Sequence, residues 1–381
     1  MNTAISDESI RICNFLGDSV NGKASVEYSL DAFAVWFAEY NKIVTLLYSA
    51  LTKNGVAEGE IQNLAVLAER ELVKQLRNDA LQEKIIKEFE QKSIPYAVLK
   101  GTETRSFYPE YLMRTSNDID IYVDPEDIVA ATKVLKSLGL EYVKLNSNGE
   151  DFEFKLGSSY VELHTSMGGI TKRQKAYFAK IASKIKAERA GSVGLSQEEQ
   201  YICAVFHLYK HFITAGAGVR MFLDVYCIGK ALKTDRKYIE TALEKLDILR
   251  FENTITQINE VLFESKEATD EILELLEYIF ENGAYGSETA AKHMKYAGVR
   301  ATDQPSVKHI IHDLCLDADS MKNRYGILKR CIVLYPFCVV HRAVKGIIFR
   351  KKTLSKAVDS AKDIVSNREH YSRILKISGI L

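Results

Sequence analysis

Asp118 and Asp120 stand two residues apart in the run Ser116-Asn117-Asp118-Ile119-Asp120-Ile121-Tyr122-Val123. In a strand of this pattern Asp118, Asp120 and Tyr122 share one face, while Ile119, Ile121 and Val123 point the other way, into a core. Their α-carbons then lie roughly 7 Å apart, so the two carboxylates can lean together and hold hard divalent cations, which demand oxygen ligands. Phosphoryl and nucleotidyl transfer use such pairs, because two ions about 3.5–4 Å apart stabilise both the attacking and the leaving oxygen. A third carboxylate normally completes the set. Glu162, in Tyr160-Val161-Glu162-Leu163-His164, faces one side of its strand while Val161 and Leu163 face the other. An adjacent strand would bring it beside the two aspartates. Alone, two aspartates on a strand are often only the solvent face of a half-exposed sheet, so their surroundings decide.

Upstream, Leu99-Lys100-Gly101-Thr102 ends a short apolar strand at a glycine, where backbone amides can approach a phosphate closely. Arg114, four residues before Asp118, is placed to reach a triphosphate with both arms of its guanidinium. His207 and His211 lie one helical turn apart and form a candidate metal pair, with Asp224 as the only nearby further ligand. The commoner arrangement is that they face a cleft, with Arg220 and Asp224 packing or contacting a nucleotide.

These residues need elements to hold them. The first ~90 residues read as helical, with apolar residues at three- and four-residue steps; Leu64, Leu67, Leu72 and Leu76 fall roughly on one face. Strand signals cluster between 95 and 165: Tyr96–Lys100, Asp118–Val123, Glu141–Leu145, and Phe152–Leu156 paired with Tyr160–Thr165 across Gly157-Ser158, a hairpin turn with glycine first. Between them Asp124 is positioned to cap a helix, Pro125 to open it and Gly139 to end it. From Ser196 the pattern is helical again. Ser196 with Glu199 forms a capping box for a helix through about Phe212, and further helices are expected over 236–247, 252–265, 268–281 and 305–316. The predicted division is an N-terminal helical segment (1–90), an α/β core (91–190) and a C-terminal helical domain (191–381).

Taken together, Lys100-Gly101, Phe107-Tyr108-Pro109, Arg114-x-x-x-Asp118-Ile-Asp120-Ile-x-Val123 and Val161-Glu162-Leu163-His164 resemble the uncharacterised nucleotidyltransferase family of the DNA polymerase β-like superfamily. The likeness extends through His207-x-x-x-His211, Arg220-x-x-x-Asp224 and Met321-x-x-x-Tyr325…Pro336…Arg342, covering roughly 60–345. It implies an α+β fold: a small mixed-sheet polymerase-β-like core flanked by N-terminal helices and a C-terminal helical domain. It further implies Asp118, Asp120 and Glu162 as catalytic metal ligands for two Mg²⁺ (or Mn²⁺) ions. Lys100, Gly101, Thr102, Arg114, Ser116 and Arg220 become the expected nucleotide-binding residues. The wider superfamily prefers serine where Thr102 stands, and the third acid is often aspartate rather than Glu162. The reaction expected is transfer of a nucleoside monophosphate from an NTP to a hydroxyl-bearing acceptor (a small molecule, RNA or protein). The competing reading is a catalytically silent relative that binds nucleic acid or another partner through basic C-terminal helices.

The chain has 381 residues, with 51 Lys+Arg balancing 51 Asp+Glu. Global charge therefore gives no sign of a polyanionic partner. From Met321 onward the balance breaks: Lys322, Arg324, Lys329, Arg330, Arg342, Lys345, Arg350, Lys351 and Lys352, among others, face only Asp359, Asp363 and Glu369. Region 321–376 is thus a candidate site for an anionic partner, or a cationic helix set against the acidic helices of 252–281. Six scattered cysteines without a C-x-x-C pair argue against a disulfide framework or zinc knuckle. The opening lacks the charge and apolar pattern of a secretory signal, and His341, Arg342 and Lys345 interrupt the most apolar stretch. A cytoplasmic protein without a membrane span is expected.

Overall fold

The computed structural model describes residues 3–23, 28–146, 149–187, 194–232, 236–297, 321, 325–329, 331–341 and 351–381. The fold is α+β, as expected: a small mixed sheet set among helices. Three helices, α1 (Thr3–Val20), α2 (Ala32–Asn41) and α3 (Val44–Lys53), precede the long α4 (Gln62–Gln91). The α/β segment then runs β1 (Tyr96–Val98), the single turn α5 (Thr102–Arg105), β2 (Asp118–Val123), α6 (Ile128–Ser137), β3 (Glu141–Leu145), β4 (Asp151–Leu156) and β5 (Ser159–His164). Helices α7 (Lys172–Ala187), α8 (Gln197–Thr214), α9 (Val219–Ala231), α10 (Arg236–Leu246), α11 (Leu249–Glu264), α12 (Asp270–Asn282) and α13 (Glu288–Ala297) follow, and α14 (Lys351–Ile377) closes the described chain.

The strand order is β1-β2-β5-β4-β3. β2 and β5 are parallel, whereas β1–β2, β4–β5 and β3–β4 are antiparallel. The expected hairpin forms through Gly157-Ser158, with Leu156 opposite Ser159. Strand alternation sorts the two faces of the sheet. Ile119, Ile121, Val161 and Leu163 bury against Leu81, Ile85 and Phe89 of α4 and Val134 and Leu135 of α6. The opposite face, with the acidic residues, is left toward the C-terminal helices. A second, larger core joins α1–α3 to α8–α12, and α1 packs along α11.

Two local expectations change. α6 begins at Ile128 rather than at Pro125. Asp124 instead accepts from the Glu126 amide through Oδ1 (2.9 Å) and from the Asp127 amide through its carbonyl (2.9 Å), a turn with proline second, so Asp127 takes the cap position. On α4 the apolar face ends near Leu67, and Leu76 is 53% exposed. The buried residues run Leu64, Ala68, Gln75, Asn78, Leu81, Ile85 and Phe89, because the middle of this helix grips polar backbone rather than apolar core. Elsewhere Ser196 and Glu199 form the expected capping box on α8.

Helix 305–316 and most of the basic run (Lys322, Arg324, Arg330, Arg342, Lys345, Arg350, and the side chains of Lys329, Lys351 and Lys352) lie outside the described residues. Farther along, α14 packs on α12 and α13, and Arg373 Nε reaches Glu274 of the acidic α12 at 2.7 Å. Among the described residues no helix is long and apolar enough to cross a membrane, and Cys13, Cys203, Cys227, Cys331 and Cys338 are free.

Candidate active site

The parallel pairing of β2 with β5 decides the geometry. Asp118 lies opposite Tyr160, Asp120 opposite Glu162 and Tyr122 opposite His164. Neighbouring strands stand about 4.8 Å apart, so the shared alternation delivers Asp120, Glu162 and His164 to one spot. One ligating atom from each of these three lies within 4.8 Å of the other two.

Asp120 is 4% exposed and is the electrostatic centre. His164 Nε2 approaches its Oδ1 at 2.7 Å and Lys100 Nζ approaches the same oxygen at 3.3 Å. His164 Nδ1 meets Asp151 Oδ1 at 2.9 Å, and its Nε2 is 3.6 Å from Glu162. Burial alone would lower the imidazole pKa, but the flanking Asp120 and Asp151 raise it to about 9, so both ring nitrogens carry protons and donate. Burial would likewise raise Asp120, yet Lys100 and His164 hold it far below the ordinary carboxylate range. Lys100 is pushed up, because Asp120, Asp118 and Glu162 outweigh its own burial. Asp118 and Glu162 move the other way from Asp120: burial first, then the neighbouring Asp120 charge, raises both. Asp118 keeps open surface at the strand end but lies within the cleft, whose walls desolvate it, and its carboxylate makes no hydrogen bond or ion pair among the described residues. Two under-compensated carboxylates flanking a buried third suit a divalent cation. The donor set is carboxylate oxygen, with the His164 imidazolium beside it as a hydrogen-bond donor, and fits magnesium or manganese better than a soft metal.

The turn before the strand is built around Gly101. Its φ of 70° and ψ of −103° exclude other residues, and a Cβ there would come within 3.0 Å of Ser116 Oγ. Ser116 Oγ in turn accepts from Arg114 Nη1 (2.9 Å). The rest of the Arg114 guanidinium is engaged: Nε and Nη2 fork onto Asp224 of α9 at 2.9 and 3.1 Å, and Nη1 also donates to the Thr115 carbonyl. Tyr108 Oη donates to the same Asp224 oxygen that takes Arg114 Nε (2.7 Å). Arg114 therefore lines the cleft with its charge already paired, whereas the sequence suggested that its fork was open to a phosphate. Arg220 is the freer cation. Its Nη2 donates to the Thr115 carbonyl (2.7 Å), and it forms no ion pair among the described residues. Thr102 stands apart, since its side chain leans out of α5 to donate to Gln82 (3.3 Å) and does not line the cleft.

Helix α4 fixes the 114–116 segment from behind. Gln75 Oε1 accepts from the Ser116 amide and Asn78 Nδ2 donates to the Ser116 carbonyl (3.2 Å). Asp79 pairs with Arg105 (2.9 Å), whose Nε donates to the Arg114 carbonyl (2.9 Å). The approach to Asp118 is thus held by buried side-chain hydrogen bonds, each stabilising by about 1 kcal/mol and costly to leave half-made.

All this surrounds one open cleft of about 350 Å³, with Lys100, Gly101, Arg114, Ser116, Asp118, Asp120, Glu162 and Arg220 on its walls. A family model described as an uncharacterised nucleotidyltransferase matches residues 32–264, more than half of the chain and the whole of this cleft's acidic wall. The chain belongs to that nucleotidyltransferase family. No curated protein and no solved structure matches it. The matched span runs from α2 to the end of α11, so α3, which packs on α4, and the α9 helix bearing Arg220 and Asp224 fall inside the nucleotidyltransferase region.

His207 and His211 of α8 also line this cleft, with ring centroids 4.4 Å apart. Burial, with Lys100 nearby, lowers both, His211 to about 4, so they are neutral. They do not join the three-ligand cluster. Sequence reasoning passed over His164 as a site residue, although it shares the alternation that singled out Glu162. It also left unseen the α4 clamp and the Asp224 fork, whose partners are distant in sequence.

Proposed function

We propose that the protein transfers a nucleoside monophosphate from an NTP to a hydroxyl-bearing acceptor at this cleft. The observation that carries the reading is the in-register pairing of Asp120 with Glu162 on parallel strands, with Asp118 one pleat step away at the open edge. Asp118, Asp120 and Glu162 would hold the divalent cations, whose contribution when bound is to polarise the α-phosphate and the acceptor oxygen. The chain's own groups do the rest. Lys100 and Arg220 neutralise triphosphate charge, and the Gly101-Thr102 turn offers backbone amides to its oxygens. Arg114 keeps Ser116 against Gly101 and adds positive potential to the same wall. The acceptor oxygen attacks the α-phosphorus, the bond to pyrophosphate breaks, and Glu162 takes the acceptor proton.

Isothermal titration of the full chain with ATP and magnesium or manganese tests the reading. Binding should be measurable for the wild type and abolished in Asp118→Ala and Asp120→Ala. Incubation with labelled NTPs and cell extract should then label an acceptor in a Glu162-dependent way. A wild-type protein that binds no NTP with either metal sinks the proposal.

A further inference from the structure

We propose that Tyr285 is the stacking surface for the nucleobase, so that the NTP lies with its base on the α12–α13 loop and its phosphates toward Arg220 and Lys100. The inference rests on the nucleotide reading above and adds the determinant of base binding, placed beyond the family-matched span of 32–264. Among the described residues that line the cleft, the Phe and Tyr rings are Phe206 and Tyr285. Phe206 is 3% exposed and packed in the core, while Tyr285 is 58% exposed. An aromatic face open to a polar cleft is what a base needs, because every base has a π-face and stacks without regard to its edge groups.

The ring is also fixed in place. Its hydroxyl accepts from Asn117 Nδ2, on the residue directly before Asp118. Its loop is held by backbone contacts as well as by the Ser287 hydroxyl, which donates to Asn282 Oδ1 (2.7 Å). The Ser287 amide donates to the Ala215 carbonyl (2.7 Å), and the Ala284 amide donates to the Tyr40 carbonyl (3.2 Å). Gly218 lies against the Gly283 backbone and Gly286 against the Ala215 carbonyl, so closely that a Cβ on either glycine would overlap the neighbour. Segment 215–218 leads straight into α9, which carries Arg220. The aromatic ring and the Arg220 guanidinium therefore ride on interlocked backbones along one wall. Such pre-ordering removes an entropic cost of binding. The Asn117 side chain beside Tyr285 is already engaged, its amide on the Tyr285 hydroxyl and its oxygen on Lys74 (3.1 Å), so discrimination among the four bases should be weak, with purines favoured by their larger face.

The test compares ATP with inorganic tripolyphosphate, each titrated calorimetrically with magnesium into wild type, Tyr285→Ala and Tyr285→Phe. Wild type should prefer ATP. Tyr285→Ala should weaken ATP by about tenfold, within the range of one lost base–aromatic stack, and leave tripolyphosphate within twofold; Tyr285→Phe should keep ATP binding within threefold. Equal ATP affinity in Tyr285→Ala and wild type overturns the inference. So does a parallel loss of ATP and tripolyphosphate, which would place the effect on the phosphates or the fold. Wild type binding neither ligand would instead overturn the nucleotide reading beneath it.

Discussion

Replacing Asp224 by alanine should destabilise the protein through Arg114 rather than through any loss of apolar packing. The carboxylate accepts from Arg114 Nε and Nη2 at 2.9 and 3.1 Å and from Tyr108 Oη at 2.7 Å. The paired side chains are 9% and 16% exposed, so removing one strands the other as an almost buried cation that keeps its proton. Breaking a buried pair from one side costs about 3–5 kcal/mol. The cleft admits some water at Asp224, which places the expectation at the low end, about 3 kcal/mol. A chain of this length unfolds with an entropy of about 0.8 kcal/mol per kelvin, so the midpoint should fall by roughly 4 °C. Removing both charges, in Arg114→Met/Asp224→Leu, should restore at least half of that, because an apolar pair of similar volume is often as stable as a buried ion pair. The assay is a double-mutant cycle by thermal or denaturant unfolding. The reasoning fails if Asp224→Ala moves the midpoint by under ~1 °C, or if the double variant loses the sum of the two single losses.

Two further outcomes follow from the same wall. Gly101→Ala should lower stability by about 1–3 kcal/mol, since alanine must adopt a glycine-only φ, ψ pair and crowd Ser116 Oγ at 3.0 Å; calorimetric ATP affinity should drop with it, and an unchanged melt would refute the strain. Among the thiols, burial raises Cys203 on the cleft wall to about 12, so its thiolate fraction at pH 7 is minute and grows tenfold per pH unit up to that value. Cys331 is exposed. Iodoacetamide at pH 7 followed by peptide mass analysis should label Cys331 first, and labelling of Cys203 ahead of it would contradict the burial.

The carboxylates were legible because their signal is local. Alternation in 118–123 and 160–164 assigns faces within six residues, and the Gly157-Ser158 turn fixes the β4–β5 register without reference to the rest of the chain. Sequence could place Glu162 on an adjacent strand, but only the parallel β2–β5 ladder sets it opposite Asp120 rather than one pleat away. The polar scaffold was not legible. Gln75, Asn78 and Asp79 occur at helical spacing among charged residues and carry no apolar signal, yet Gln75 and Asn78 are buried against Ser116, 41 and 38 residues away. Arg114 read as a free phosphate ligand because its partner is 110 residues distant.

That asymmetry has a physical cause. An apolar side chain needs any apolar neighbour, so its periodicity alone predicts which way it faces. A polar side chain needs a particular partner at hydrogen-bond distance, and its identity states the need without saying where it is met. The consequence for this cleft is that two arginines of equal charge separate by their partners. Arg114, forked onto Asp224, holds the turn, while Arg220, on the Thr115 carbonyl and in no ion pair among the described residues, keeps its charge available. Burial beside Arg114 lowers the Arg220 pKa, as it must for a cation facing another cation across a narrow wall. An incoming polyanion would relieve that repulsion, so the phosphate binding proposed at Arg220 would gain from Arg114, the other arginine the sequence places at the nucleotide.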